Sequence, residues 1–224
     1  RELKCYLAYG VAGDNMEITV SANDNINGTL ILPMYEGVEE IPEECERGLP
    51  QGMKSQINRV LADGDLKAKK KATMSLIGGE DGKVILAGLG KSSDVSVHDF
   101  RKSGAAVFAS IKKVHGNDFT VRFTEAGVAH MAAFAEGMML RNYSYDEYKM
   151  KDDEEAEGEK QVRLTCSEKE SEELSALVNK YRGVTKGVHL SRDLGNCPPN
   201  DMYPEVFADM AWEWAKDFDN VDVT

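Results

Sequence analysis

A glycine-rich segment carries the first residues that could do chemistry. Residues 88–92 read Gly-Leu-Gly-Lys-Ser and follow a hydrophobic run, an arrangement in which backbone amides and a lysine can bind phosphate. A Walker A loop requires a glycine five positions before the Gly90-Lys91 pair, where this chain has Ile85. A dinucleotide-binding fingerprint requires a glycine in place of Ser93. Because both patterns lack a required residue, we interpret the segment as a tight turn from a strand into a helix.

The titratable side chains form no recognisable catalytic or metal-binding pattern. The four histidines are His98, His115, His130 and His189. No two of them have the i, i+4 spacing of a helical metal site, and neither H-E-x-x-H nor G-x-S-x-G occurs. His130 lies among small apolar residues and is interpreted as a core or interface residue. The acidic pairs at 152–155 belong to a charged run typical of a solvated loop, so we assign no catalytic, cofactor-binding or metal-binding residue.

Composition and charge argue against two classes of partner. The chain has 224 residues, with 27 basic and 39 acidic side chains and a formal net charge of −12, whereas duplex-binding domains carry a basic face. The main basic cluster is Lys67, Lys69, Lys70 and Lys71, which we interpret as a solvated loop or helix face. No apolar stretch approaches the roughly 18 residues of a membrane span. We expect neither nucleic acid nor a membrane as a partner.

The cysteines and the first residues predict a cytoplasmic protein. The four cysteines are Cys5, Cys45, Cys166 and Cys197. They are far apart and form no C-x-x-C pair, so neither a zinc site nor a dense disulfide framework is indicated. The first residues lack the apolar run of a secretory signal. We therefore expect buried, reduced thiols.

Short hydrophobic runs alternate with helical patterns, which predicts an α/β fold with a mixed sheet flanked by helices. Strands are predicted over residues 3–8, 16–21, 29–35, 72–77, 83–87, 119–123 and 162–166, with another beginning at 221–224. Helices are predicted over residues 51–63, 97–114, 128–141 and 204–218. A further long helix should begin at the capping box of Ser167 and Glu170 and end near Leu194.

Residues 192–204 carry the most specific motif in the chain. They match the pattern R-x-L-x-N-x-P-x-N-x-x-x-P and resemble the start of the catalytic domain in the leucyl (cytosol) aminopeptidase family. Residues 84–91, 100–105 and 135–149 resemble further segments of that family in the same order. The resemblance extends from about residue 29 to the end. Two departures affect local turns: Tyr203 replaces a small hydroxyl residue that could cap a helix, and residues 65–69 lack a glycine.

The resemblance implies an architecture and a chemistry for the parent protein. The family has an N-terminal α/β domain similar to macro domains, a linking helix and a catalytic domain. In that last domain two divalent metals, manganese or zinc, activate a water that attacks the first peptide bond. The metal and catalytic residues lie in motifs such as N-T-D-A-E-G-R-L, which this sequence does not contain. We therefore expect the metals in the parent's catalytic domain and none in this chain.

By this resemblance the chain divides into three parts. Residues 1–165 form the macro-like α/β domain, 166–195 the linker helix, and 196–224 the start of a truncated catalytic domain. The chain is then the non-catalytic part of a cytosolic two-metal leucyl aminopeptidase that removes N-terminal amino acids from peptides. Its expected role is scaffolding in a homo-hexamer, and alone it should be inactive. An exposed apolar face on the linker helix, at residues such as Leu174, Leu177, Tyr181 and Val184, would predict association or marginal solubility.

Two alternatives remain open at this point. A macro-like domain could bind ADP-ribose or another nucleotide near residues 88–90, at the carboxyl end of a strand, where α/β folds prefer to bind ligands. The chain could also be a structural subunit that has lost a catalytic half. Fold resemblance alone does not decide between these functions.

Overall fold

Six strands form one mixed sheet in the computed structural model, which describes residues 16–78, 82–112, 114–148, 158–216 and 218–224. The strands are β1 (Met16–Ser21), β2 (Thr29–Tyr35), β3 (Thr73–Ile77), β4 (Lys83–Gly90), β5 (Asp118–Arg122) and β6 (Lys160–Thr165). Their order across the sheet is β1-β6-β5-β2-β4-β3. Only β3 and β4 pair antiparallel in this described sheet, and the other neighbours are parallel. The predicted mixed sheet is confirmed.

Helices cover both faces of the sheet. They are α1 (Glu43–Glu46), α2 (Gln51–Ala62), α3 (Val97–Ile111), α4 (Val128–Arg141), α5 (Glu168–Asn196) and α6 (Pro204–Ala215). The capping box predicted at the start of α5 is present, and the backbone amide of Ser167 donates to Glu170 Oε2 at 3.1 Å. Helix α6 begins at Pro204 without a side-chain cap, as the large Tyr203 side chain suggests. No helix in the described ranges has the length and apolar character needed to cross a membrane.

Some predicted boundaries are wrong. Helix α3 ends at Ile111 and α6 at Ala215, three residues earlier than expected for each. Residues 221–224 form no strand, because no strand of the described ranges lies beside them to supply hydrogen bonds. The strand predicted over residues 3–8 lies outside the described residues. The division of the chain at residues 165 and 195 stays a prediction.

The sheet separates two hydrophobic cores. Strands β2 and β4 are buried on both faces, so their alternating side chains enter different cores. Ile31 and Ile85 pack with α3, α4 and α5, whereas Leu32 and Leu86 pack with α2 and the segment around Cys45. The central strands therefore read as continuous hydrophobic runs, which is why the sequence predicted them.

Helices α3 and α4 approach each other closely through two glycines. A Cβ atom at Gly104 would lie 2.0 Å from the Phe134 carbonyl oxygen, and one at Gly137 would lie 1.8 Å from that of Arg101. Beside this contact, Arg101 Nε donates to Glu136 Oε2 at 2.7 Å. Neither position has space for a larger residue while the backbones remain where they are.

The apolar face of α5 is mostly covered. Leu174 is buried in the core under the sheet, and Leu177 and Tyr181 pack against that core, so these three residues form no exposed apolar face. Val184 is exposed. The larger exposed apolar surface lies at and around α6, where four aromatic side chains are about half exposed: Phe207, Trp212, Trp214 and Phe218.

Candidate functional site where helix α5 ends

The glycines at 88 and 90 lie in a strand, so their interpretation as a strand-to-helix turn is wrong. β4 continues to Gly90, and the connection to α3 begins at Lys91. The Gly88 amide donates to the Ala72 carbonyl at 2.7 Å, and the Gly90 amide donates to the Ala68 carbonyl at 2.9 Å. A Cβ atom at Gly88 would lie 2.1 Å from the carbonyl oxygen of Lys69. The chain itself occupies both amides, which argues against phosphate or ADP-ribose binding there.

The histidines lie in different surroundings. His98 and His115 are exposed. The half-buried ring of His130 packs edge-on against Phe100 with the centroids 4.8 Å apart, which fits the predicted core or interface role. His189 is buried beside the ring of Tyr143. Among the described residues, no three side chains of the metal-binding types come together to hold an ion.

The lysine cluster differs in part from the solvated face that we expected. Lys70 donates to Asp99 Oδ2 at 3.0 Å and to the Asp94 carbonyl at 3.0 Å, and so links the segment before β3 to the start of α3. Hydrogen bonds from Ser96, and then from Lys70, hold the pKa of Asp99 well below its usual range. The acidic pairs at 152–155 lie outside the described residues.

The three described cysteines are free thiols. Burial raises the pKa of Cys45 to about 11 and also raises the pKa of Cys166. A thiol with a raised pKa is protonated near neutral pH and is a poor nucleophile or metal ligand. Buried, reduced thiols were predicted, and Cys45 has this character; Cys5 lies outside the described residues.

Two segments that carry the sequence resemblance meet where α4 and α5 end. The hydroxyl of Tyr143 donates to Asp193 Oδ1 at 2.9 Å and accepts from Asn196 Nδ2 at 2.9 Å. Arg192 lies over the Tyr143 ring, 5.3 Å from its centroid, and donates to the Leu140 carbonyl at 2.9 Å. We call these four side chains, Tyr143, Arg192, Asp193 and Asn196, the junction. They hold the last turn of α5 against the last turn of α4.

A second contact extends the junction into the following loop. Tyr148 donates to Asp201 Oδ2 at 2.5 Å, and its hydroxyl lies 3.9 Å from Cys197 Sγ. The hydrogen bond to Asp201 is the main reason why the pKa of Tyr148 lies above its ordinary value. Tyr143 therefore connects the segment after α4 to the last turn of α5, and Tyr148 connects it to the proline-rich segment that follows α5.

The electrostatics of the junction are those of a structural contact. Burial raises the pKa of Asp193, while the hydrogen bond from Tyr143 and the charge of His189 act in the opposite direction. Burial also raises the pKa of Tyr143. An aspartate and a tyrosine joined in this way can position two helix ends. Sequence patterns predicted no role for these side chains, and the available signal was that both segments resemble the same family.

We expect Tyr143→Phe to raise the pKa of Asp193 further and to lower the free energy of unfolding by about 1 kcal/mol, because it removes a hydrogen bond to a carboxylate. A pKa that is higher in the folded state gives stability that is lost as pH rises through that pKa. The variant should therefore lose more stability at neutral pH than at about pH 4. Carboxyl NMR titration and urea unfolding measure both quantities.

Tyr148→Phe is the matched control, since Tyr148 donates to Asp201 and not to Asp193. It should leave the pKa of Asp193 unchanged. If Tyr143→Phe also leaves this pKa and the stability unchanged, the junction does not hold the helix ends together in solution.

Sequence comparisons identify relatives over most of the chain. The family model described as "Cytosol aminopeptidase family, N-terminal domain" matches residues 31–152. A probable cytosol aminopeptidase of Rhizobium leguminosarum bv. trifolii is 32% identical over 209 residues, which cover 89% of this chain and 41% of that protein. One from Agrobacterium fabrum is 35% identical over 172 residues, covering 71% of this chain and 33% of that protein.

Solved structures share the fold. A tomato leucine aminopeptidase with a K354E mutation matches with a TM-score of 0.70 at 21% identity, over 92% of this chain and 43% of that one. The bottromycin maturation enzyme BotP, in complex with Mn, matches with a TM-score of 0.62 at 19% identity, over 84% of this chain and 36% of that one.

These matches agree on the family and on the part of it that is represented. The chain spans about 40% of the length of the first curated relatives it matches. The family model covers β3, β4, β5, most of β2 and the start of the segment after α4, including Tyr143 and Tyr148, whereas β1 and β6 lie outside it. This chain belongs to the cytosol aminopeptidase family and contains its N-terminal domain.

Proposed function

We propose that this chain is the non-catalytic N-terminal part of a cytoplasmic leucyl aminopeptidase, which removes N-terminal amino acids from peptides. The match of residues 31–152 to the N-terminal domain of the family carries this proposal. The junction adds support, because it fixes the end of α5 and the motif at residues 192–204 against the matched domain. The chain would thereby hold the start of a catalytic domain in a defined orientation.

Two divalent metals, manganese or zinc, would supply the hydrolytic chemistry in the parent protein by activating a water. The described residues offer no group of three donors to hold such an ion. By the resemblance to the family, the metal-binding residues would belong to the part of the relatives that this chain does not cover, and no catalytic step is assigned to its side chains.

We assign the chain a scaffolding role in a homo-oligomer, with a hexamer as the expected assembly. Exposed aromatic residues at and around α6 support a contact with further protein, since contiguous apolar surface is uncommon on monomers. The rings of Trp214 and Phe218 contact each other at a tilt of 43°, with their centroids 4.6 Å apart, and so form one apolar patch. This surface is distinct from the junction, which uses the other end of the loop before α6.

Activity measurements on two forms test the proposal. The 224-residue chain should not hydrolyse leucine p-nitroanilide with manganese or zinc, whereas the complete product of its transcript should do so and lose this activity on chelation. Turnover by the 224-residue chain would contradict the non-catalytic role. A transcript that encodes nothing further, or an inactive complete product, would contradict the aminopeptidase function and favour a purely structural subunit.

A further inference from the structure

A cavity of about 250 Å³ lies between β1, the end of α4 and the second half of α5. Four residues of α5 line it: Arg182, Thr185, Lys186 and His189. Their spacing of i, i+3, i+4 and i+7 places them on one face of the helix. The cavity is smaller than the roughly 300–1,000 Å³ of sites for drug-sized molecules, so a ligand here would be small.

The opposite side of the cavity is largely apolar and also contains one buried polar residue, Asn142. Met16 and Ile18 of β1 and Met139 of α4 line it, and all three are buried. Side chains alternate across a strand, so the exposed Glu17 directs its carboxylate to the other face of the sheet. The Glu159 carboxylate lies on that same face as the Glu17 side chain. It accepts a hydrogen bond from Gln161, and Gln161 pairs in register with Glu17. Glu17 and Glu159 nonetheless belong to the lining of the cavity, so its apolar side is bordered by two acidic residues.

The helix side presents a buried hydroxyl. Thr185 is 4% exposed, and its Oγ1 atom has no hydrogen-bond partner in the part of the chain that the structure describes. A helical threonine can return its hydroxyl to the carbonyl four residues earlier, but this one does not. A buried polar group without a partner costs free energy, so its retention needs an explanation.

Two positively charged side chains, those of Arg182 and Lys186, line the cavity beside the Thr185 hydroxyl. Arg182 is held in place, because its guanidinium donates to the Ile18 carbonyl at 2.8 Å and to Asn179 Oδ1 at 2.6 Å. Lys186 forms no ion pair with any carboxylate of the described ranges. One side of the cavity thus offers positive charge and a hydroxyl, and the other offers apolar surface.

We infer that this cavity is a binding site for a small carboxylate with an apolar tail. The carboxylate would accept hydrogen bonds from Thr185 and Lys186, while the tail would pack on Met16, Ile18 and Met139. Charge-assisted hydrogen bonds supply the preference for an anion, and the apolar side supplies the preference for a tail. This inference does not depend on the proposed aminopeptidase function, since all the residues lie in the described chain.

Calorimetric titration of the full 224-residue chain with 4-methylpentanoate tests the site. The neutral 4-methylpentanamide should bind about tenfold more weakly, because it lacks the charge that Lys186 recognises. Acetate should also bind more weakly, by about fourfold for each methylene that it lacks. Equal binding of the carboxylate and the amide, or no heat at ~10 mM carboxylate, would overturn the inference.

Variants separate a ligand site from a structural role. Lys186→Gln should weaken carboxylate binding about tenfold, whereas Lys180→Gln, an exposed position of α5 outside the cavity, should not. Thr185→Val should weaken binding while leaving the melting temperature of the free chain unchanged or higher, since it removes an unpaired buried hydroxyl. Equal effects of the two lysine variants, or unchanged binding by Thr185→Val, would contradict the proposed contacts.

Discussion

Gly137→Ala is expected to lower the free energy of unfolding by about 3 kcal/mol, although alanine is the better helix former. The added methyl group would lie 1.8 Å from the carbonyl oxygen of Arg101, so α3 and α4 would have to move apart. A side-chain movement cannot relieve this clash, because the methyl group would meet the backbone of Arg101 and not a flexible side chain. Separation would also lengthen the hydrogen bond between Arg101 and the largely buried Glu136. Urea unfolding at constant slope measures the loss.

Gly183→Ala is the matched control for this substitution. Gly183 lies inside α5, and nothing is found within 4 Å of the position that its Cβ atom would take. The same chemical change should therefore stabilise the fold by about 0.5–1 kcal/mol through helix propensity alone. If both variants shift the urea midpoint in the same direction, α3 and α4 do not pack as closely as described.

Arg122→Met is expected to cost about 3 kcal/mol, for a different reason. Arg122 is buried at the end of β5, where it donates to the carbonyls of Cys45 at 3.1 Å and Arg47 at 2.8 Å and also to that of Asp24. Methionine keeps most of the apolar volume but removes the donors. Three backbone carbonyls would then lose their donor, and that of the buried Cys45 lies where water has little access.

The neighbouring Arg47→Met provides the comparison. Arg47 binds the carboxylate of the same Asp24 at 3.0 Å, but both side chains are largely exposed, at 67% and 45%. Exposed ion pairs contribute little, so this variant should change stability by no more than about 0.5 kcal/mol. Thermal and urea unfolding should show a clearly larger loss of stability for Arg122→Met than for Arg47→Met. Similar small losses for both would show that Arg122 does not secure the segments around Asp24 and Cys45.

Local patterns predicted the elements whose burial is decided by their own sequence. The range of α4 was predicted to the residue because the small and sulfur-containing side chains between Val128 and Arg141 face a core on most sides. The end of β4 was not predicted, because glycines usually terminate strands. There, Gly88 and Gly90 remain in the sheet because residues 68–72 run alongside them and need the space.

Long-range contacts explain what the sequence could not predict. Tyr143 and Asp193 are 50 positions apart, and no periodicity connects them. Leu174 lies on the apolar stripe that was correctly recognised, but whether a stripe is covered depends on the neighbouring α4 and β1. The assignment of no catalytic, cofactor-binding or metal-binding residue stays a prediction. The junction could be recognised only after the two segments were seen in contact.

The position of β1 has a consequence for how the protein is made. Met16 pairs with Lys160, and Ser21 pairs with Thr165, so the first described strand pairs with the last one. β1 leaves the ribosome early and has no partner strand of the described sheet until β6 follows. Strands β2, β4 and β5 can pair before then, whereas β1 must wait with its apolar side chains uncovered. Closure of this edge is therefore a non-local step that must await the synthesis of β6, of the kind that slows folding.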